Sequence, residues 1–501
     1  MSCYSPIIHK LLYFGSVIES VRTGKSELKE IDSVIAEVES WINSKNLNTC
    51  ELLWSYYILS HSFSTKRSLS LSPQYANYNN PLIWKEVSSY RSIFKLSNEV
   101  VQSKDHTLFS TARDIRYQAD VQLGALYDHF GRFQNAQNLW FQAGILKKND
   151  FQWRFHIGFS LASTHAYYEK RAEPFVLAHA KSILKPFLDM PETMCSAVEV
   201  YEKIKNYKTP DLSEDISIIY DDTEKGCYDK WVNEHWLRLN SYNDINTNSN
   251  LSQDDSLYFL SVFSPDGDSE LGQRVFTQLN EIKQEYVSAR YMLYQYFTKS
   301  GQQHFSDSDV VLSDNLDYSN YSYYIELAKA SFRALYSILD KTAYLLNDYL
   351  GLGVKGNDVN FNDIWYSDKK KHTLREKILS FESNYSLAGL LFIRNDIFGG
   401  DSHYIQDEAT DKLRIIRNAI EHRSVLIVDD GRFDDTQYAL IISRAEFEET
   451  IMNLIRTVRQ AIFCIVNMVN HIEYDKRIAI EQSGQKVIFQ PVSVIADEDK
   501  V

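Results

Sequence analysis

Hydrophobic residues recur at helical spacing along most of the chain. In the first 205 residues this pattern predicts successive helices separated by short breaks, and in the last third it predicts four longer and more regular ones. The predicted helices cover 6–22, 28–43, 51–62, 81–102, 111–130, 231–239, 268–297, 323–350, 370–392, 407–423 and 444–472. We therefore expect a mainly α-helical protein.

The segment 111–146 has the spacing of a tetratricopeptide helix–turn–helix, in which small residues let two helices approach and large ones fill between them. The residues at these positions are Leu123, Gly124, Tyr127, Gly131, Ala136, Trp140 and Ala143. A second unit follows 34 to 35 residues later with Ile157, Gly158 and Ala178, although its register is interrupted near Pro174. The pattern predicts a helical-repeat (TPR-like) region over 1–205, serving either as a binding surface or as a plain scaffold.

Polar, turn-rich stretches divide the rest of the chain. They indicate a middle helical and linker region at 206–317, a helical domain at 318–475 and a tail at 476–501, where 486–494 either adds a strand or stays loose. Two β-rich runs, 425–429 and 438–443, flank a Gly/Asp turn and predict a β-hairpin between the last two helices. Four antiparallel helices with an inserted β-hairpin form a compact bundle.

Composition narrows the classes of function. The net charge of −14 disfavours a broad basic surface for duplex nucleic acid, so any RNA contact must be local. The five cysteines are far apart and have no metal-ligand spacing, which argues for reduced thiols and against a zinc site. The longest apolar run, 461–466, is too short to span a membrane. We expect a soluble, cytoplasmic protein without membrane contact.

The predicted helix 407–423 has two different faces. Leu413, Ile416 and Ile420 form a stripe expected to be buried, while a polar arc of about 140° carries Arg414, Arg417, Asn418, Glu421 and His422. A guanidinium binds phosphate oxygens and an imidazole exchanges protons near neutral pH, so the pair suits phosphate chemistry. A solvated face with an Arg417–Glu421 pair would give the same pattern.

This motif, near the end of the third of four helices, resembles the signature of the HEPN superfamily: an Arg, a polar residue, then a His after four to six intervening positions. Arg417, Asn418 and His422 match its three terms, and the resemblance covers roughly the last 150 residues. It implies a metal-independent, cofactor-free endoribonuclease of toxin or antiphage type, with its site where two HEPN domains meet in a homodimer.

By the same resemblance, His422 is expected to act in acid–base catalysis, Arg417 to hold the scissile phosphate and Asn418 to position backbone or substrate. Arg414 and Arg423 are expected to line the RNA cleft. The alternative is a non-catalytic HEPN/TPR module that dimerises and recruits protein or nucleotide ligands, and a purely structural adaptor is a further one.

Three other signals have simpler interpretations. The GxGxxG at 351–356 follows a helix rather than a strand, which favours a helix C-cap and turn over a nucleotide site. Arg394, Asn395 and Asp396 are interpreted as a polar loop held by turn chemistry, although a position at the border of the site is open. Arg456 and Arg459 either line the cleft or, preferably, are solvated surface residues.

Overall fold

The computed structural model describes residues 5–70, 80–100, 105–168, 174–188, 195–264, 268–313, 319–381, 383–399, 408–429 and 439–483, together with Ile495 and Lys500. The mainly α-helical fold predicted from the sequence is confirmed. None of the helices in these ranges is long and apolar enough to cross a bilayer. The predicted tail segment 486–494 lies outside the described residues.

The N-terminal region is helical, as predicted. Successive helices pack in pairs, with α3 against α4, α5 against α6 and α7 against α8. The helices are α1 (Pro6–Arg22), α2 (Lys29–Asn43), α3 (Thr49–Ser70), α4 (Pro81–Val100), α5 (His106–His129), α6 (Phe133–Leu146), α7 (Gln152–Tyr168), α8 (Pro174–Leu184) and α9 (Cys195–Ile204).

Two glycines 34 residues apart occupy equivalent positions in the pairs α5/α6 and α7/α8. A Cβ added to Gly124 would lie 2.4 Å from Nε1 of Trp140, and one added to Gly158 would lie 2.7 Å from Cγ2 of Ile183. The Trp140 indole donates a hydrogen bond of 3.1 Å to the carbonyl of Val121. Each glycine therefore permits a close helix crossing. The interval of 34 residues in the sequence corresponds to these two crossings.

The middle segment contains α10 (Glu224–Glu234), irregular backbone and then α11 (Leu271–Lys299). The helix predicted over 231–239 was wrong in its second half, because Trp236 adopts a left-handed conformation (φ 54°) that ends the helix. Buried charge pairs bind the irregular part to the helices. The guanidinium of Arg290 on α11 contacts both carboxylate oxygens of Asp255, at 2.8 and 2.7 Å.

The C-terminal bundle consists of α12 (Tyr323–Leu350), α14 (Tyr385–Phe398), α15 (Glu408–His422) and α16 (Arg444–Ser483), with α11 packed antiparallel on α12. The predicted C-cap is confirmed, since Gly351 ends α12 with a left-handed φ of 59°. Hydrophobic residues from the N-terminal helices and from the bundle belong to one continuous core.

The predicted antiparallel order of the four bundle helices was wrong. Phe332 and Tyr349 of α12 contact Phe447 and Glu473 of α16 in the same sequence order, so these helices run parallel. Arg333 contacts Ile420 and Tyr336 contacts Arg417, so α15 runs antiparallel to α12. Asn384 contacts Met468 and Gly389 lies against Cys464, so α14 runs antiparallel to α16.

The helix predicted over 370–392 was also wrong in its first half. Two short antiparallel strands, β1 (Tyr366–Asp368) and β2 (Thr373–Leu374), precede a single turn of helix, α13 (Glu376–Leu379). The turn between the strands includes His372 in a left-handed conformation (φ 49°). Helix α14 starts afresh because the Asn384 side chain caps the N–H of Leu387 at 3.0 Å.

The predicted β-hairpin after α15 was wrong in its pairing direction. The two strands exist, as β3 (Ser424–Val428) and β4 (Ala439–Ser443), but they pair in parallel with Ser424 opposite Ala439. Both strands are continuous apolar runs rather than alternating ones, which is typical of parallel strands covered on both faces. The other edge of β3 is paired as well, since Asn320 donates to the carbonyl of Ile427 at 2.9 Å.

The predicted polar loop at Arg394–Asp396 was wrong, because these residues lie inside α14 and are buried. Asp396, which is 2% exposed, accepts a hydrogen bond of 2.6 Å from Arg91 on α4 and another of 2.6 Å from Arg132 at the start of α6. Arg394 donates to Asn362 and to the carbonyl of Gly399. The polar residues of α14 therefore connect the N-terminal helices to the bundle.

Candidate functional site

Helix α15 presents the two faces that the sequence indicated. Leu413, Ile416 and Ile420 are buried against the bundle, as is Ala419 between them. On the outer face, Arg417 and Asn418 are half-buried, and the other polar side chains are exposed: Arg414, Glu421, His422 and Arg423. The alternation of apolar and polar positions thus orients the motif toward solvent at one edge of the bundle.

The Arg417 guanidinium is held by an amide and by an aromatic ring. Its Nη1 donates to Oδ1 of Asn418 at 3.2 Å, and its Cζ lies 5.6 Å from the ring centroid of Tyr336 on α12. Within the described ranges, no carboxylate forms an ion pair with it. The positive charge is thus positioned without being neutralised, which leaves it available to an anion.

Burial shapes the titration of the groups below Arg417. It raises the pKa of the Tyr336 hydroxyl above its usual value, and the charge of Arg417 opposes that rise. Burial likewise raises the pKa of Asp340, although a hydrogen bond from the Phe361 N–H (2.9 Å) and the charge of Arg417 act in the opposite direction. Arg417 therefore lies near a buried ring and a half-buried carboxyl, where electrostatic interactions are stronger than in bulk water.

His422 is the last residue of α15 and is exposed. It lies five residues beyond Arg417, about 7.5 Å further along the helix axis. In the part of the chain that the structure describes, its imidazole makes no hydrogen bond. Both ring nitrogens are accordingly open to a ligand at the same outer face.

Arg333 on α12 is a neighbour of the motif that sequence reasoning missed. Its Nη2 donates to the carbonyl of Ile420 at 3.1 Å, and its Nε lies 3.8 Å from Glu421. Glu421 is thus paired across helices, and the Arg417–Glu421 pair considered from the sequence is not formed within the described residues. No local pattern could have identified Arg333, because it lies more than 80 residues before the motif.

The remaining predicted arginines differ in their surroundings. Arg414, Arg423 and Arg456 are exposed. Arg459, by contrast, is 3% exposed and contacts Asp244 at 2.9 and 3.0 Å and the carbonyl of Arg238 at 2.7 Å. The prediction of a solvated surface position was wrong for Arg459, because the middle segment folds over α16.

The C-terminal part of the chain matches one known protein family. Residues 267–472 match the model of the family described as LA2681-like HEPN. The match begins just before α11, includes the motif helix α15 and ends within α16. No curated protein and no solved structure matches the chain significantly. The segment 267–472 is therefore an HEPN domain of the LA2681-like kind.

Proposed function

We propose that this protein is a metal-independent endoribonuclease that cleaves single-stranded or loop RNA at the outer face of α15. HEPN domains are often ribonucleases, which makes RNA chemistry the first expectation for the matched segment. The observation that carries the proposal is the state of Arg417. It is fixed by Asn418 and Tyr336, lacks a carboxylate partner within the described residues, and shares its helix face with an exposed histidine.

The reaction requires two proton transfers and one stabilised charge. The ribose 2′-oxygen loses its proton to a base and bonds to the adjacent phosphorus, while the bond from phosphorus to the 5′-oxygen breaks and that oxygen takes up a proton. The products are a 2′,3′-cyclic phosphate and a 5′-hydroxyl. In this scheme, imidazole groups move the protons, and the Arg417 guanidinium stabilises the charge on the phosphoryl oxygens.

One chain supplies one histidine and one arginine of this set. A two-fold dimer with the α15 helices facing each other supplies two of each, which is enough for a base, an acid and a bidentate phosphate contact. We therefore propose a homodimer formed through the HEPN domain, with Arg414 and Arg423 contacting RNA backbone at the rim. The biological role that fits such an enzyme is that of a toxin or an antiphage effector, with a trigger or partner binding the N-terminal helices.

Replacing the motif side chains tests the proposal. We expect His422→Ala to lower the cleavage rate by about 10²–10⁴-fold and Arg417→Ala by about 10²–10³-fold, measured on labelled single-stranded RNA with a chelator present. Because both side chains lie outside the buried stripe, thermal unfolding should change little. His106→Ala and Arg113→Ala, both exposed on α5, are matched controls that should cleave at the wild-type rate.

Two outcomes would contradict the proposal. Cleavage that persists in both motif variants would place the chemistry elsewhere. A wild-type protein that cleaves no RNA across diverse substrates would favour the binding module, in which the HEPN domain dimerises without catalysis.

A further inference from the structure

A basic turn projects from the same domain at the end of β1. It consists of Lys369, Lys370 and Lys371, and we call it the lysine turn. All three residues are exposed. Between 369 and 377 the sequence carries five cationic side chains and one carboxylate, in a chain whose net charge is −14. Such a local excess of positive charge is what an acidic protein needs in order to hold a polyanion.

Within the described residues, only one of the three lysines in the turn forms an ion pair. Lys369 pairs with Asp363 at 2.8 Å. Among the described residues, neither Lys370 nor Lys371 has a carboxylate within ion-pair distance. The nearest acidic side chain, Asp368, accepts the backbone N–H groups of Lys370 (3.0 Å) and Lys371 (3.2 Å). The carboxylate thus shapes the turn, and the two ammonium groups extend into solvent.

The turn is anchored at its base. His372 has a left-handed backbone and stacks on Tyr366 with ring centroids 5.0 Å apart. The Cζ of Arg394 lies 5.0 Å from the centroid of the same Tyr366 ring. A turn anchored in this way loses less conformational entropy on binding than a free loop does, so its lysines are better prepared to contact a ligand.

The lysine turn is also connected to the motif helix. The segment leading to β1 docks on α12 where Asp340 accepts the Phe361 N–H, one helical turn from the Tyr336 ring under Arg417. Five consecutive contacts, none longer than 6.5 Å, link the turn to the motif through His372, Tyr366, Arg394, Phe398, Tyr336 and Arg417. A strand of about 16 nucleotides, the upper length held by a single-strand site on one OB fold, is long enough to reach both.

We propose that the lysine turn contacts backbone phosphates of single-stranded RNA and holds the strand beside the α15 site. The proposal rests on the RNA substrate proposed above. The chain of contacts that joins the turn to the motif helix favours this partner over an anionic lipid surface, which would leave the outer face of α15 without a role. It also agrees with the acidic remainder of the chain, which disfavours a long duplex.

The test is the salt dependence of RNA binding by the full-length chain. In Lys370→Gln/Lys371→Gln, we expect weaker binding of a labelled single-stranded RNA, and a plot of log affinity against log salt that is shallower by about 1.4, because each lost phosphate contact removes about 0.7. The rate at saturating RNA should stay within about twofold of wild type, with the loss appearing in KM. Lys370→Arg/Lys371→Arg, which keeps the charge, should retain the wild-type slope.

Lys45→Gln/Lys148→Gln is the matched control, since it removes two exposed lysines from the N-terminal helical region. The proposal is overturned if the turn variant keeps the wild-type salt slope, if the control loses as much, or if the wild type binds anionic vesicles but no RNA. Measuring the same slopes in His422→Ala separates the two proposals. Binding that depends on the turn without any cleavage would refute only the nuclease, and cleavage with an unchanged slope would refute only the turn.

Discussion

Arg417 differs from the buried arginines of this molecule in its contacts, because the buried arginines pair with carboxylates. Arg91 and Arg132 share Asp396, Arg290 and Arg238 share Asp255, and Arg459 pairs with Asp244. These pairs satisfy the rule that a desolvated charge requires a partner. Arg417 has an amide and a ring instead. Within the described residues no carboxylate lies at ion-pair distance from Arg417, and under the proposed function an RNA phosphate would supply the missing counter-charge.

The pair of Asp255 and Arg290 gives a prediction for stability. Burial alone would raise the pKa of Asp255, but the charge and hydrogen bonds of Arg290 outweigh it and lower that pKa to about 2. We expect Asp255→Asn to lower the free energy of unfolding by about 3–5 kcal/mol near neutral pH, because it leaves a guanidinium buried without its partner.

The pH dependence has a definite sign. A carboxyl whose pKa is lower in the folded state stabilises the protein above its unfolded pKa, about 3.9, and this contribution disappears as the pH falls toward 2. Urea unfolding from pH 6 downward should therefore show wild type and variant converging. Asp268→Asn, in the exposed pair with Arg274, should change little. An equal loss in both variants would contradict the argument.

At the scale of elements, close helix crossings depend on single small residues. Gly124 leaves no room for a Cβ beside Trp140, whereas a Cβ on Gly15 of α1 would meet Ile58 at an ordinary 3.7 Å. The two glycines are both helical, so they share the propensity gain on replacement by alanine and differ only in space. The α5/α6 pair should therefore be sensitive to a single methyl group.

We expect Gly124→Ala to destabilise the protein by about 1–3 kcal/mol through overpacking. Gly15→Ala should be neutral or stabilising by up to about 1 kcal/mol. Thermal or urea unfolding of the two variants side by side measures the difference. Equal effects of the two substitutions would mean that the Trp140 indole shifts aside at no cost.

Local signals determined which elements could be predicted. The bounds of α1 and α12 follow from Ser5, which caps the N–H of Ile8, and from Gly351, and both helices were predicted residue for residue. The motif helix and its buried residues could likewise be predicted from the spacing of apolar positions. The pairing direction of β3 and β4, the direction of α15 and the partners of Asp396 depend on contacts between residues distant in sequence. Arg333 was missed for the same reason, whereas the lysine turn was missed because a helix was predicted over 370–392.

At the scale of the whole molecule, the N-terminal helices and the HEPN domain share a core. The Phe392 ring of α14 lies 4.5 Å from Trp84 and 4.9 Å from Phe130, and Gly131 packs its backbone against that of Tyr385. With the contacts of Asp396, these interactions couple the two regions directly. A ligand bound by the N-terminal helices therefore has a short physical path to the bundle.

This shared core predicts that the segment 206–501 is not independently stable. Without the N-terminal helices, Phe392 becomes exposed and Asp396 loses both of its arginines. We expect the fragment to bind the dye ANS strongly and to lack a cooperative unfolding transition, whereas the full chain unfolds cooperatively. Adding the fragment 1–205 should reverse both effects. A monodisperse fragment with a sharp transition would show that the bundle folds by itself.

The length of α16 has a consequence for biosynthesis. This helix of 40 residues contacts α7, α11, α12, α14 and α15, all of which precede it in the chain. During translation, at about 5–20 residues per second, each of those elements leaves the ribosome before the surface that covers it exists. Until α16 has emerged, the apolar stripe of α15 lacks part of its covering, so a truncated nascent chain cannot assemble the finished bundle.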